Sequence, residues 1–181
     1  MRELWLVRHG QTPWNLEGRL TGWSDLPLTA LGEQQARALS GWLTGERFHR
    51  VVASDLQRAI QTARLAYGEP QEVAAALREL EFGRLEGLRW AELPEVHKEA
   101  LLKFEGFQAP GGESTVQLRR RVYAFFDDLP AGRHLLFTHG GVLRMVLRDF
   151  DQDRFLPPCA VVGLDWGLKR VLFVREPANE G

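Results

Sequence analysis

Cysteine is almost missing. A single residue, Cys159, rules out an internal disulfide framework and any zinc site built from several thiolates. Lysine is nearly as scarce: Lys98, Lys103 and Lys169 are the only ones, and the other cationic side chains are arginines. That bias alone points to no function. Neither sign of charge is in excess, since 23 Lys and Arg against 24 Asp and Glu leave −1. A dedicated nucleic-acid or membrane-surface binder would carry a basic surplus, so neither partner is expected. Charged residues break every apolar run well before a bilayer could be crossed. The opening Met1-Arg2-Glu3-Leu4 leads into a strand-like run without the apolar stretch of a secretory signal. A reducing, cytoplasmic location is therefore expected. What remains is the mix of a soluble globular chain, with 181 residues, 44% apolar and 26% charged. That length suits one domain over residues 1–181 that buries about two-thirds of its unfolded surface.

Short apolar runs alternate with amphipathic stretches, which reads as α/β. Leu4-Trp5-Leu6-Val7 is apolar throughout, as expected of a strand covered on both faces. Residues 51–53, 134–138, 161–165 and 171–174 are further strand candidates. Leu56, Ile60, Ala63 and Tyr67 share one helical face, and Leu118, Val122, Phe125 and Leu129 repeat that spacing. Ser114 and Gln117 form an S-x-x-Q capping box ahead of the second helix. Ala36, Leu39 and Leu43 mark an earlier helix with Thr29 as its N-cap. Residues 85–113 are the least regular, broken by Pro94, Gly106, Pro110, Gly111 and Gly112. They read as an excursion from the sheet that covers a site.

Three strand candidates end in polar residues of catalytic type. The first ends in Arg8-His9-Gly10. The second ends in Ser54-Asp55, with Arg58 just inside the next helix. Another ends in Thr138-His139-Gly140-Gly141, ahead of a further helix. Ligands of parallel α/β sheets bind outside the carboxyl ends of the strands. If these strands are neighbours, two histidines and two arginines converge there. Such a cluster suits a phosphate: arginine presents a charged planar fork, and a helix N-terminus after Gly140 adds N–H donors. A lone histidine at a strand end is more often structural, and His49, His97 and His134 are read that way.

The joint pattern resembles the histidine phosphatase superfamily, in the branch that holds the cofactor-dependent phosphoglycerate mutases and many small phosphatases. The resemblance is carried by Arg8-His9-Gly10-Gln11-Thr12-x-x-Asn15, and by Arg19-x-x-Gly22-Trp23-x-Asp25-x-Pro27-Leu28-Thr29-x-x-Gly32. Ser54-Asp55-Leu56-x-Arg58-Ala59, Leu77-x-Glu79-x-x-Phe82-Gly83-x-x-Glu86-Gly87, Pro110-Gly111-Gly112-Glu113-Ser114 and Thr138-His139-Gly140-Gly141 complete it. It implies a three-layer sandwich with a mostly parallel central sheet flanked by helices. It also implies a metal-independent phosphomonoester hydrolase that needs no cofactor. In that reading His9 is the nucleophile that forms a phosphohistidine, and Arg8, Arg58 and His139 neutralise the phosphoryl oxygens. Asn15, Thr21, Gly22 and Gly140 join Arg8, Arg58 and His139 in holding the phosphate. Glu79 protonates the leaving alcohol and then takes a proton from water. Glu81, two residues on, is its rival and shares its face in an extended stretch.

The family's larger mutases carry a longer insertion between the acid and the second histidine, whereas here the interval from Glu79 to His139 is short. Trp90 falls where those mutases place a lysine, and Phe104-Glu105 where they place an arginine pair. The distal wall is thus expected to be apolar and acidic, which favours a phosphatase. Trp14, Trp23, Trp90, Phe104 and Phe107 are candidates for a ring-stacking pocket, and Glu113 for a part in specificity. The expected partner is a small phosphorylated metabolite, with α-ribazole 5′-phosphate one candidate; a homodimer stays open. The alternatives are a cofactor-dependent phosphoglycerate mutase and, in another class, a non-catalytic phosphate-binding protein.

Overall fold

The alternation of Leu4-Trp5-Leu6-Val7 decides the layering. Successive side chains of a strand point to opposite faces. Leu4 and Leu6 enter one core and Trp5 and Val7 the other, all buried. A strand apolar on both sides must lie inside a sheet covered on both sides. In the computed structural model, which describes residues 1–178, β1 (Arg2–Arg8) does so. The six-stranded sheet has the order β3-β2-β4-β1-β5-β6. Here β2 is Arg50–Ala53, β3 Glu72–Val73, β4 Gly132–Thr138, β5 Val161–Asp165 and β6 Arg170–Arg175. The pairs β1–β4, β2–β4 and β2–β3 are parallel, while β5 and β6 add an antiparallel edge.

One face carries α2 (Ala30–Leu43) and α3 (Gln57–Ala66), whose Ala36, Leu39, Leu43, Ala63 and Ala66 meet Trp5, Val7, Leu135 and Phe137. The other carries α4 (Glu95–Lys103), α5 (Thr115–Asp128) and α6 (Gly140–Asp149), over Leu4, Leu6, Leu136 and Val162. Each predicted strand lies within an observed one. Thr29 caps α2 by accepting from the Gly32 N–H at 3.0 Å, and the Ser114–Gln117 box opens α5. Among the described residues no helix is long and apolar enough to cross a membrane.

The differences are local. In α5 the fully buried ring is Phe126, with Phe125 only packed against the core. In α3 the buried face holds Arg58, Ala59, Thr62, Ala63 and Ala66, while Tyr67 is partly exposed. An apolar stripe misplaces that face because two of its members, Arg58 and Thr62, are polar. The expected irregular excursion contains an ordered helix, α4, together with 3₁₀ turns at Gly83–Leu85 and Trp90–Glu92. The short α1 (Pro13–Glu17) and β3 went unread, since neither is long enough to show periodicity.

Candidate active site

Strand register assembles the site. Arg8 of β1 stands beside Thr138 of β4, and Ala53 of β2 beside Phe137. The residues that follow, His9, Ser54 and His139, therefore emerge at one edge of three adjacent parallel strands. The rings of His9 and His139 lie edge to face, 5.2 Å apart. Arg58, from the first turn of α3, is buried behind them and donates through Nε to His9 Nε2 at 3.3 Å. Its other nitrogens donate to the carbonyls of Ser24 and Gly22.

These contacts fix protonation. His9 Nδ1 lies 2.7 Å from the Gly10 carbonyl, so it carries the proton and leaves Nε2 unprotonated, the acceptor of the Arg58 bond. Burial holds the His9 imidazole well below its ordinary pKa, and the Arg58 and Arg8 charges push it lower still. His139 is depressed for the same first reason, with Arg58 and His9 next. Both rings are therefore neutral at neutral pH, which a nucleophile requires. The Ser54 hydroxyl is 2.8 Å from His139 Nε2 and accepts from the Leu56 N–H. Where that hydroxyl donates to Nε2, the His139 proton lies on Nδ1. That Nδ1 and Arg8 Nε are buried without any partner. Buried donors are normally satisfied, so two orphans at one spot describe a missing acceptor.

Glu79 sits across from them. Its carboxylate accepts from the Gly141 N–H at 2.9 Å and the Leu80 N–H at 2.8 Å. Burial raises its pKa, an effect only partly offset by those N–H groups and by Arg58 and Arg8. The contact demands glycine: a Cβ on Gly141 would lie 2.2 Å from Glu79 Oε1. Arg121 of α5 holds the Glu79 backbone from behind. It donates to the carbonyls of Ala76, Arg78 and Glu79 and pairs with both oxygens of Glu113 at 2.9 Å. Glu113 in turn accepts from the Glu81 N–H.

A family model described as histidine phosphatase superfamily (branch 1) matches residues 4–167. The chain belongs to that superfamily. It is one of its enzymes, a phosphatase or a mutase. The probable phosphoglycerate mutase GpmB of Yersinia enterocolitica is 39% identical over 158 residues, covering 81% of this chain and 74% of that one. A crystal structure of phosphoglycerate mutase from Thermus thermophilus is similar at 50% identity, with TM-score 0.91 over 97% of this chain and 99% of that one. The open reading frame product Rv3214 of Mycobacterium tuberculosis is 26% identical, with TM-score 0.82 over 97% of each chain.

For a histidine phosphatase superfamily member, the cavity above His9 is where a substrate would enter. It measures about 280 Å³. Arg8, His9, Asn15, Thr21, Glu79 and Gly140 all line it, whereas Arg58 and His139 are sealed beneath. Asn15 also closes a reciprocal cap with Thr12 at the start of α1. Gly22 stays outside the lining: its N–H is taken by Glu86 at 2.7 Å and its carbonyl by Arg58, so it braces the site. Glu81 lies outside it too, its N–H held by the Glu113 carboxylate.

Of the five candidate aromatics, Trp90 and Phe104 line the cavity. Trp23 instead holds the Glu79 carbonyl at 2.8 Å, Phe107 is core, and Trp14 stacks under Gly87. Glu113 is bound to Arg121 and is not among the residues that line the cavity. Glu105 corrects the expected acidic wall. Helix α4 ends at Phe104 in a left-handed conformation, which turns Glu105 outward, 76% exposed and paired with Arg148. The wall is apolar without being acidic, and it includes two arginines given no role in the sequence: Arg19, which stands within a motif, and Arg144, which stands in none. For Arg144 a signal existed: it stands in an otherwise apolar stretch of α6, and a charge there must be paired. Among the described residues, no three His, Cys, Asp or Glu side chains gather to hold a metal ion.

Proposed function

We infer that the protein is a phosphomonoesterase that works through phosphohistidine at His9. The observation that carries this reading is the pair of orphaned buried nitrogens, Arg8 Nε and His139 Nδ1, beside a neutral His9 whose Nε2 is unprotonated and held only by a long bond from Arg58. A phosphoryl group set there supplies the acceptors both lack. His9 Nε2 attacks phosphorus, and the bond to the leaving oxygen breaks. Glu79, whose pKa burial raises, gives that oxygen its proton from its acid form. In the second step the Glu79 carboxylate takes a proton from water. The resulting hydroxide displaces His9, releasing phosphate and regenerating Glu79. Arg8 and Arg58 balance the spread charge throughout.

Hydrolysis is favoured over mutase chemistry by the distal wall. A mutase must hold a bisphosphate while it reorients, which calls for free cations away from His9. Phe82, Trp90, Phe104 and Phe155 form much of that wall, and Arg144 within it is spent on protein carbonyls. The substrate is then a small monoester whose leaving group is partly apolar, with α-ribazole 5′-phosphate one candidate. The mutase reading draws on the names of the GpmB and Thermus relatives and on Arg19, part of whose guanidinium is free.

The two separate in one comparison. Phosphate release from a panel of monoesters is set against conversion of 3-phosphoglycerate to 2-phosphoglycerate with 2,3-bisphosphoglycerate present, all in EDTA. Phosphate release should dominate. Mutase turnover above the best phosphatase rate would overturn the reading, and turnover of nothing would favour a binding protein.

A further inference from the structure

One buried charge in the cavity wall takes no part in the chemistry above. Arg144 projects from α6, one turn beyond the Gly140–Gly141 end that meets Arg8 and Glu79. It is 6% exposed. Its Nη1 donates to the Leu101 carbonyl at 2.7 Å, and its Nη2 to that of Leu102. Its Nε pairs with Asp153 at 3.1 Å. The guanidinium also lies over two rings, 5.1 Å from the Phe104 centroid and 4.1 Å from that of Phe155. Each nitrogen of the fork thus has a protein partner, and two aromatic rings pack against it.

The partners are what matter. Leu101 and Leu102 are in the last turn of α4, where helical donors run short: the Leu101 carbonyl has the Phe104 N–H at 3.1 Å, and both carbonyls can take further donors from outside the helix. Arg144 supplies those donors from a neighbouring helix. It thereby fixes the point where the chain turns left-handed at Phe104 and sends that ring into the cavity. Phe155 lies in a segment without helix or strand and is 70% exposed, yet it reaches the cavity. Its contact with Arg144 and the Asp153 ion pair tie that segment down. A second pair of bonds, Arg148 to Glu105 and to Asp153, runs alongside from the same helix. One element therefore carries the phosphate-facing glycines at its start and the anchor of the apolar wall one turn later.

We propose that Arg144 is a positioning residue that sets the leaving-group wall, holding Phe104 and Phe155 where a bulky apolar group would rest while leaving the phosphoryl end unaffected. This rests on reading the cavity as the phosphomonoester site. A lysine cannot replace it, because a compact ammonium has no planar fork to serve two carbonyls and a carboxylate while lying over two rings.

Calorimetric titration with two phosphonates tests the proposal without turnover, since a C–P bond is not hydrolysed. Methylphosphonate probes the phosphate end alone, and 1-naphthylmethylphosphonate probes the wall as well. In Arg144→Met, naphthylmethylphosphonate binding should weaken about tenfold while methylphosphonate binding stays within about threefold. Arg144→Lys should show the same split. Equal weakening of both ligands, or no weakening of either, would overturn the proposal. Restoration by lysine would do so too. If wild-type protein bound neither phosphonate, the reading of the cavity itself would fall, and this inference with it. Thermal unfolding checks that the variants are folded. Should neither be, Phe155→Ala removes an exposed partner of the same clamp and must weaken the naphthyl ligand selectively, or the proposal fails.

Discussion

The floor and the rim of the cavity are made in different ways. The floor comes from three adjacent strand ends whose register fixes His9, Ser54 and His139 against Arg58, all buried. The rim comes from a 3₁₀ turn at Trp90, the end of α4 at Phe104, and Phe155 in a connection without helix or strand. Sheet hydrogen bonds position the floor. Arginine side chains reaching across from helices position the rim. Chemistry is thereby tied to the most rigid part of the fold. Selectivity is left to segments that can change without disturbing a strand.

Breaking the floor should cost most. His9→Ala is expected to lower kcat at least about 10⁴-fold with circular dichroism unchanged. Acid-labile, base-stable label from radioactive substrate should vanish with it. Activity near wild type would end the phosphohistidine mechanism.

Next comes the acid. Glu79→Gln should slow an alkyl phosphate by about 10²–10³-fold but p-nitrophenyl phosphate far less, since nitrophenolate leaves without a proton. Glu81→Gln should barely affect either. The Glu79 pKa is raised, and the acid form is the active one, so alkyl ester turnover should fall as pH rises through that value. A larger alkyl-selective defect in Glu81→Gln would exchange the two roles.

The support behind the floor should cost less. Arg121→Met removes the carbonyl clamp and leaves Glu113 unpaired. Stability measured by urea unfolding should drop by about 2 kcal/mol, between the values for exposed and buried pairs. A loss under about 0.5 kcal/mol would show that the Glu79 segment holds itself.

The smallest effect is a shift with pH. His9, His139 and His134 all have lowered pKa values in the folded chain, burial being the largest cause in each. Their contribution is complete above the ordinary histidine value of about 6.5 and is lost as pH falls below it, because the unfolded chain then binds more protons. Glu79 works in the opposite sense, since its folded pKa is raised. The three histidines should prevail, and the urea midpoint should drop between about pH 7.5 and pH 5.5. A midpoint that held or rose would contradict that balance.

The floor was legible in the sequence because its residues follow strands too apolar to be anything else, and the glycines beside them mark close approaches. The rim was not. Trp90 and Phe104 could be named, but which of five aromatics turned inward depended on the left-handed turn at Phe104 and on Arg144, neither of which has a periodicity. Glu105 pointed the wrong way for the same reason. Arg58 and Thr62 were missed as core members of α3 because amphipathic reasoning assigns polar residues to water. Glu79 was separable from Glu81 only by motif spacing, since two acids two residues apart give no other sign of which one lines the cavity.

Cys159 gives the fold a property of another kind. It is buried, its N–H donates to the Arg8 carbonyl at 3.0 Å, and burial pushes its thiol up to about 12. Such a thiol is protonated and hidden, and so unreactive in the native state. The chain's one sulfhydryl is therefore a silent tag joined to the strand that ends in the nucleophile. Its rate of labelling by a thiol reagent would time how often that strand leaves its place, with no background from any other cysteine.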